Sequence, residues 1–201
     1  PLYSSAASDV YKRQVLGCET VIFVDDDQVV TDPAFVEKGM EHLGDETPEG
    51  GACYAKSGYY VDSEGRHQAH DDAHWSDMVW RLRDAYNHAL AVVDAPPRLR
   101  RSPLAFGGCL ALRREMYSKV SFDPWVVRGE DIDYSINARL HGEQVWLDGD
   151  WHITHQPPEG HSRALFFRQD VFRFVYEHRK LEFAKSQVDL GACSLAEVTS
   201  G

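Results

Sequence analysis

Three adjacent aspartates, Asp25-Asp26-Asp27, stand directly after the apolar run Val21-Ile22-Phe23-Val24. Carboxylates this close repel one another, so a fold that gathers them at the mouth of a strand needs positive charge there. A divalent cation with a phosphate-bearing ligand on its far side meets that need. Further along, Gly129-Glu130-Asp131-Ile132-Asp133 supplies a second group of carboxylates and Ile153-Thr154-His155 an imidazole. A metal site beside a carboxylate able to take a hydroxyl proton suits transfer from a nucleotide-sugar. Each motif also has a plainer explanation. Asp25 to Asp27 could be a solvated turn, Glu130-Asp131 could serve the helix dipole, and His155 could be a loop or core residue.

Open α/β sheets bind ligands at the carboxyl ends of their strands, and the pattern along the chain supplies such elements. Glu19 to Val24 reads as a strand. Asp32-Pro33 reads as the N-cap and first residue of a helix that carries Phe35, Val36, Met40 and Leu43 on one face and ends near Gly44. Ala52 to Asp62 reads as a strand bent at Gly58, followed by a turn at Ser63-Glu64-Gly65. Trp75 to Val93 is the clearest amphipathic helix. Ser102 to Leu112 reads as one strand interrupted by Gly107-Gly108, and Arg113 to Val120 and Glu130 to His141 as helices. Val145 to Leu147 and Trp151 to His155 read as two short strands, Pro157-Pro158 as a loop, and His161 to Gln187 as a long closing helix. The alternation predicts an α/β fold.

At 201 residues and 43% hydrophobic composition the chain suits one domain with a real core. A net charge of -11 disfavours nucleic acid as a partner, although Arg98, Arg100 and Arg101 form a local basic patch. Cys18, Cys53, Cys109 and Cys193 are far apart with no CxxC, which predicts free, mostly buried thiols in a reducing compartment. No apolar stretch approaches a membrane span and no signal peptide is visible. The expectation is a cytoplasmic protein with no integral membrane segment, at most peripheral at the cytoplasmic membrane face.

With these spacings in hand, FVDDDQVV (Phe23 to Val30) resembles the DxD region of glycosyltransferases with the GT-A fold, family 2 in particular. GGCLALRREMY (Gly107 to Tyr117) resembles that family's strand and turn beneath the sugar and acceptor, and FDPWVVRGEDIDYSINARLHG (Phe122 to Gly142) its acceptor-side loop and ED motif. The match spans Val15 to Pro158. The resemblance implies a GT-A-type, Rossmann-like mixed sheet flanked by helices. It also implies metal-dependent transfer, with inversion, from a nucleotide-diphosphate sugar to a glycan or other hydroxyl acceptor. By that resemblance Asp25 lies near the donor ribose, Asp26 follows it on the donor side, and Asp27 binds the metal. His155 occupies a position where several such enzymes place a second metal ligand. Asp131 falls on the base, with Glu130 beside it, and Asp133, two residues on, is the weaker candidate. A carboxylate with an imidazole suits Mn²⁺ better than Mg²⁺.

Gly107-Gly108 is either an ordinary bulge or a place where backbone approaches the transferred sugar. Trp125 is either a buried anchor or a ring that stacks on an acceptor sugar. His67, His70 and His74, with Asp71 and Asp72, have metal-like spacing but lack any accompanying framework, which favours a solvated loop. Gln169 to Phe174 is similar to the QxxRW motif of processive synthases, but its spacing is one residue too long and Trp is absent. The rivals are a retaining GT-A transferase, which needs no base at Asp131, a sugar nucleotidyltransferase, and a non-catalytic metal- or glycan-binding domain.

Pro1 to Gln14 (PLYSSAASDVYKRQ) lacks periodicity and resembles a translated sequencing-adapter artefact. The expected organisation is a non-native leader at 1–14, a partial catalytic domain at 15–187 that misses its first βα units, and a tail at 188–201. Such a chain is expected to be marginally stable by itself and to bind donor weakly.

Overall fold

The computed structural model describes residues 17–47, 49–67, 82–91, 93–126, 128–156, 163–187 and 189–191. The predicted leader, His70, His74, Cys193, the Pro157-Pro158 loop, the first residues of the helices predicted from Trp75 and His161, and most of the predicted tail lie outside these residues.

Six strands form one open, mixed sheet: β1 (Thr20–Phe23), β2 (Gln28–Val29), β3 (Ala55–Val61), β4 (Leu99–Ser102), β5 (Leu110–Arg113) and β6 (Val145–His155). Their order is β1-β5-β3-β6-β2, with β4 also on β6. β3 and β6 run parallel; β5 is antiparallel to β1 and β3, and β2 and β4 are antiparallel to β6. β1, β3 and β6 therefore point the same way, and their carboxyl ends share one edge of the sheet.

Strand alternation sends side chains to two covered faces. Val21, Leu110, Leu112 and Val145 join Met116 and Tyr117 of α3 (Arg114–Lys119) and Tyr134 and Ala138 of α4 (Glu130–Leu140). Cys109, Ala111, Trp146 and Ile153 join Phe35 of α1 (Phe35–Met40) in a separate cluster. Burial on both faces explains why β5 and β6 carry near-continuous apolar runs. α2 (Leu82–Ala91) brings Ala89 and Leu90 against Tyr59, Val61 and Leu147. α5 (Arg163–Ala184) packs on α4, with Leu181 and Ala184 against Ile136 and Leu140. The result is an α/β protein with helices flanking a mixed sheet, compatible with a Rossmann-like arrangement.

Several predicted elements change. The two short strands predicted around Gly149 are one continuous strand, β6. Gly149 does not break it: a methyl there would overlap the Val93 carbonyl, and its N–H donates to Arg98 O at 2.9 Å. The strand predicted over Ser102 to Leu112 is two, β4 at the edge beside β6 and β5 between β1 and β3, with a single 3₁₀ turn at Gly107–Cys109 before β5. α1 starts at Phe35 rather than Pro33. Asp32 Oδ1 accepts the Ala34 N–H at 2.8 Å ahead of the helix, and Ala34 is the N-cap. Its last turn ends at Met40 instead of near Gly44, where the Gly44 N–H already bonds Cys53 O at 2.8 Å. The bend expected at Gly58 is a register shift against β6, and glycine is required there because a side chain would overlap the Trp151 carbonyl.

The sheet contains a lysine with no exposed side-chain surface, Lys56, whose Nζ donates to Glu41 O at 2.6 Å and to Asp148 Oδ2 at 3.0 Å. Arg98 closes on the same carboxylate at 2.6 Å and on Glu41 at 2.7 Å. Arg101 pairs with Glu49, so much of the predicted basic patch is already matched with acids. No described helix is long and apolar enough to cross a membrane. Cys53 and Cys109 are buried free thiols and Cys18 is a partly buried one.

Candidate active site

The shared carboxyl edge of β1, β3 and β6 gathers most of the predicted chemistry. The chain leaves β1 through Asp25 to Asp27 and returns as β2, whose Gln28 pairs with His155 at the end of β6. The Gln156 N–H donates to Asp27 O at 2.8 Å, which fixes the two segments side by side. Asp27 Oδ2 thereby comes to 3.3 Å from His155 Nε2, with both side chains partly exposed. At the same edge Phe23 pairs with Leu110, placing the Gly107–Cys109 turn next to the aspartates.

Asp131, in the first turn of α4, points back at this turn. Its Oδ2 accepts the Gly107 N–H at 3.1 Å and its Oδ1 the Ile132 N–H at 2.8 Å. A methyl at Gly107 would sit 3.2 Å from Asp131 Cβ, and one at Gly108 would overlap the Gln28 carboxamide. Both glycines therefore sit where backbone must come close, and neither is a bulge within a strand. Gln28 in turn brackets Asp25: its Oε1 accepts the Asp25 N–H at 3.1 Å and its Nε2 lies 3.4 Å from Asp25 Oδ2.

The carboxylates feel one another. Burial raises the Asp131 carboxyl above the ordinary range, and hydrogen bonds from Gly107 and Ile132 and the charge of Arg173 only partly offset it. Glu130 is pushed up to about 6 by burial, then by Asp131 and Asp25. Asp25 is raised by desolvation, then by Asp131, Asp27 and Asp26, with His155 opposing. The edge is thus a site of crowded negative charge that favours a cation or a proton.

Trp125 is 66% exposed in the loop before α4, which removes the buried-anchor alternative. Asp123 holds that loop, accepting the Trp125 N–H at 3.0 Å and the Tyr176 hydroxyl at 2.7 Å. Asp133 faces away from the edge into a buried network with Lys180 and Asn137. Asp26 is exposed at the turn. His67 lies 3.8 Å from Asp94 and edge-on to Tyr59.

Two further residues belong to this edge, Tyr60 and Gln28. Tyr60 stacks on His155 at 4.9 Å and accepts the Gly108 N–H at 3.0 Å, linking imidazole to glycine turn. Gln28 occupies the space above Gly108. A tyrosine and a glutamine at strand positions carry no sequence signal for such roles; Gln28 had only its adjacency to the aspartates.

Among the described residues no group of three or more His, Cys, Asp or Glu side chains is arranged to hold a metal ion. The Asp27–His155 pair offers two donors with an accessible outer side. Mn²⁺ and Mg²⁺ commonly take one or two protein ligands and complete their shell with phosphate oxygens and water, and the imidazole tilts this pair toward Mn²⁺. The donor set therefore fits a metal completed by a diphosphate. Comparison with protein-family models, curated proteins and solved structures finds no match to this chain.

Proposed function

We propose that the chain acts as a metal-dependent glycosyltransferase of the GT-A type, similar to family 2, moving a sugar from a nucleotide-diphosphate donor to a hydroxyl acceptor with inversion. The observation that carries this reading is the meeting of three things at one sheet edge. They are the Asp27–His155 pair at 3.3 Å, the Asp131 carboxylate, and the close backbone of Gly107 and Gly108.

Asp27 and His155 would hold Mn²⁺, which when bound neutralises charge on the leaving diphosphate. Asp131 takes the proton of the acceptor hydroxyl as that oxygen attacks the anomeric carbon. The bond from this carbon to the diphosphate oxygen breaks, and its electron pair leaves with the diphosphate. The raised proton affinity of Asp131 brings it toward the range a general base needs. Gly107 and Gly108 leave room for the sugar against backbone, Asp25 and Asp26 face the nucleotide, and the exposed Trp125 ring offers a stacking face to an acceptor sugar. Buried free thiols at Cys53 and Cys109 accord with a cytoplasmic setting.

The experiment is a screen of nucleotide-sugars with the full-length protein, with and without Mn²⁺, reading donor hydrolysis, transfer and product configuration by NMR. Mn²⁺-dependent turnover with an inverted product is expected. A retained configuration would move the base away from Asp131. Glycan binding without any turnover would leave a non-catalytic binding domain.

A further inference from the structure

Along its N-terminal two thirds α5 buries charge and exposes apolar side chains, while its last turns bury Leu181 and Ala184. Asp170 and Arg173 are buried, whereas Leu165, Phe167, Phe172 and Val175 are exposed. Burying charge costs desolvation that apolar residues would avoid, so these charges need a purpose beyond packing. Their partners supply one. Asp170 forms an ion pair with Arg128 and lies 3.3 Å from Arg173 Nη2. Arg128 and Gly129 are the two residues before Glu130. Gly129 holds a left-handed conformation, φ 73°, from which α4 starts. A methyl at Gly129 would overlap the Arg173 guanidinium, which therefore fills the space a side chain there would take. α5 thus grips both residues of the turn that launches Glu130 and Asp131.

We propose that Arg173, held by Asp170, is the positioning residue for the Glu130–Asp131 pair: it fixes the turn from which both carboxylates project and brings a cation to them. Among the described residues the charged groups that act most on Glu130 are Asp131 beside it, Asp25 from the turn after β1, and Arg173 from α5. Arg173 is the cation among them, and it holds down the proton affinity of Glu130 and Asp131 alike. A guanidinium suits this task because its rigid fork can hold Asp170 and still lie against Gly129, which an ammonium cannot do. The off-spaced Gln169 to Phe174 motif thereby gains a role in ordering the carboxylates. Only the kinetic part of the proposal rests on glycosyl transfer.

The test uses the full chain with Arg173→Gln, Arg173→Lys and, as a control on the outer side of α5, Arg168→Gln. Carboxyl ¹³C NMR, assigned with Glu130→Gln, reads the Glu130 titration midpoint without substrate. Donor turnover gives kcat and KM. In Arg173→Gln the Glu130 midpoint moves up. In Arg173→Lys the midpoint stays near that of the parent, but kcat falls about ten- to a hundredfold at unchanged donor KM, the scale of a misplaced reacting group. Arg168→Gln changes neither. A parent-like midpoint in Arg173→Gln, or an equal shift in Arg168→Gln, overturns the proposal. If Arg173→Gln does not melt cooperatively, Arg173→Lys decides, and a parent-like kcat there overturns it. A midpoint that moves in a chain with no transfer activity upholds the positioning and removes the glycosyltransferase reading instead.

Discussion

The Asp131 carboxylate accepts the Gly107 N–H at 3.1 Å, joining the first turn of α4 to the 3₁₀ turn ahead of β5. The two segments are far apart in the chain, and this bond gives the carboxylate a fixed direction. It also sets an opposition: burial raises the proton affinity of Asp131 while the amide restrains it.

Asp131→Asn should leave donor binding intact, since the amide oxygen can still accept from Gly107. Transfer should fall by about two to four orders of magnitude. Glu130 is pushed up to about 6 by burial and then by Asp131 and Asp25, and burial raises Asp131. A base must be deprotonated to act. The kcat/KM profile of the parent should therefore fall toward acid on a limb above the ordinary carboxylate value of about 4, and residual Asp131→Asn activity should lack that limb. Steady-state rates across pH check both.

Asp27→Ala should abolish the Mn²⁺-dependent part of donor binding, because the pair loses its anionic ligand and the diphosphate meets unpaired carboxylates. His155→Ala should weaken it less. Calorimetric titration of donor with and without Mn²⁺ measures this. Unchanged Mn²⁺ dependence in Asp27→Ala would remove the metal from this pair.

Asp148→Asn should cost about 3 to 5 kcal/mol at neutral pH, because Lys56 is left as a buried charge without its carboxylate. Burial pushes Asp148 up, but hydrogen bonds from Arg98 and the Asp150 N–H and the Lys56 charge outweigh it and hold the carboxyl below the usual range. A depressed folded-state pKa stabilises above the unfolded value of about 3.9, and that contribution fades as pH falls through the folded value. The gap between parent and variant in urea titrations should therefore narrow in acid. A constant gap would assign the loss to packing.

Glu177→Gln should behave in the opposite sense. Burial and the neighbouring Asp133 carboxylate hold Glu177 well above its ordinary range. A carboxyl with a raised folded-state pKa costs stability increasingly as pH climbs above the unfolded value of about 4.3. The glutamine should be neutral at acid pH and stabilise by about 1 to 4 kcal/mol under alkaline conditions. Thermal melts across pH read this directly; a destabilised variant at high pH would show that the carboxylate is ionised and paired.

The parts of this fold that sequence conveyed are those where punctuation and periodicity agree. Gly129 and Gly142 bracket α4, and an apolar run feeding three acids marks the end of β1. β6 was harder. Asp148-Gly149-Asp150 interrupts its apolar pattern, and the distant Lys56 and Arg98, with the nearby Asp150 N–H, make a buried aspartate tolerable there. β2 is two residues long and carries no pattern; it exists because His155 gives it a partner. Asp27 and His155 were legible as donor types, but their separation is a product of that pairing. Tyr60 and Gln28 were illegible as parts of the edge, since each acts through a contact made only in three dimensions.

The inverted character of α5 bears on how this protein can drift. Its inner charges answer to particular partners: Asp170 to Arg128, and Lys180 to Asp123 and Asp133. Losing Lys180 strands the buried Asp133 carboxylate, and losing Arg128 leaves the buried Asp170 with one cation fewer, so such positions change most readily in concert. Among relatives they should surface as covarying pairs, occasionally with the charges exchanged. A profile built on hydrophobicity would orient the N-terminal two thirds of this helix backwards, taking its solvent side for its core side, and only the last turns, with Leu181 and Ala184, correctly.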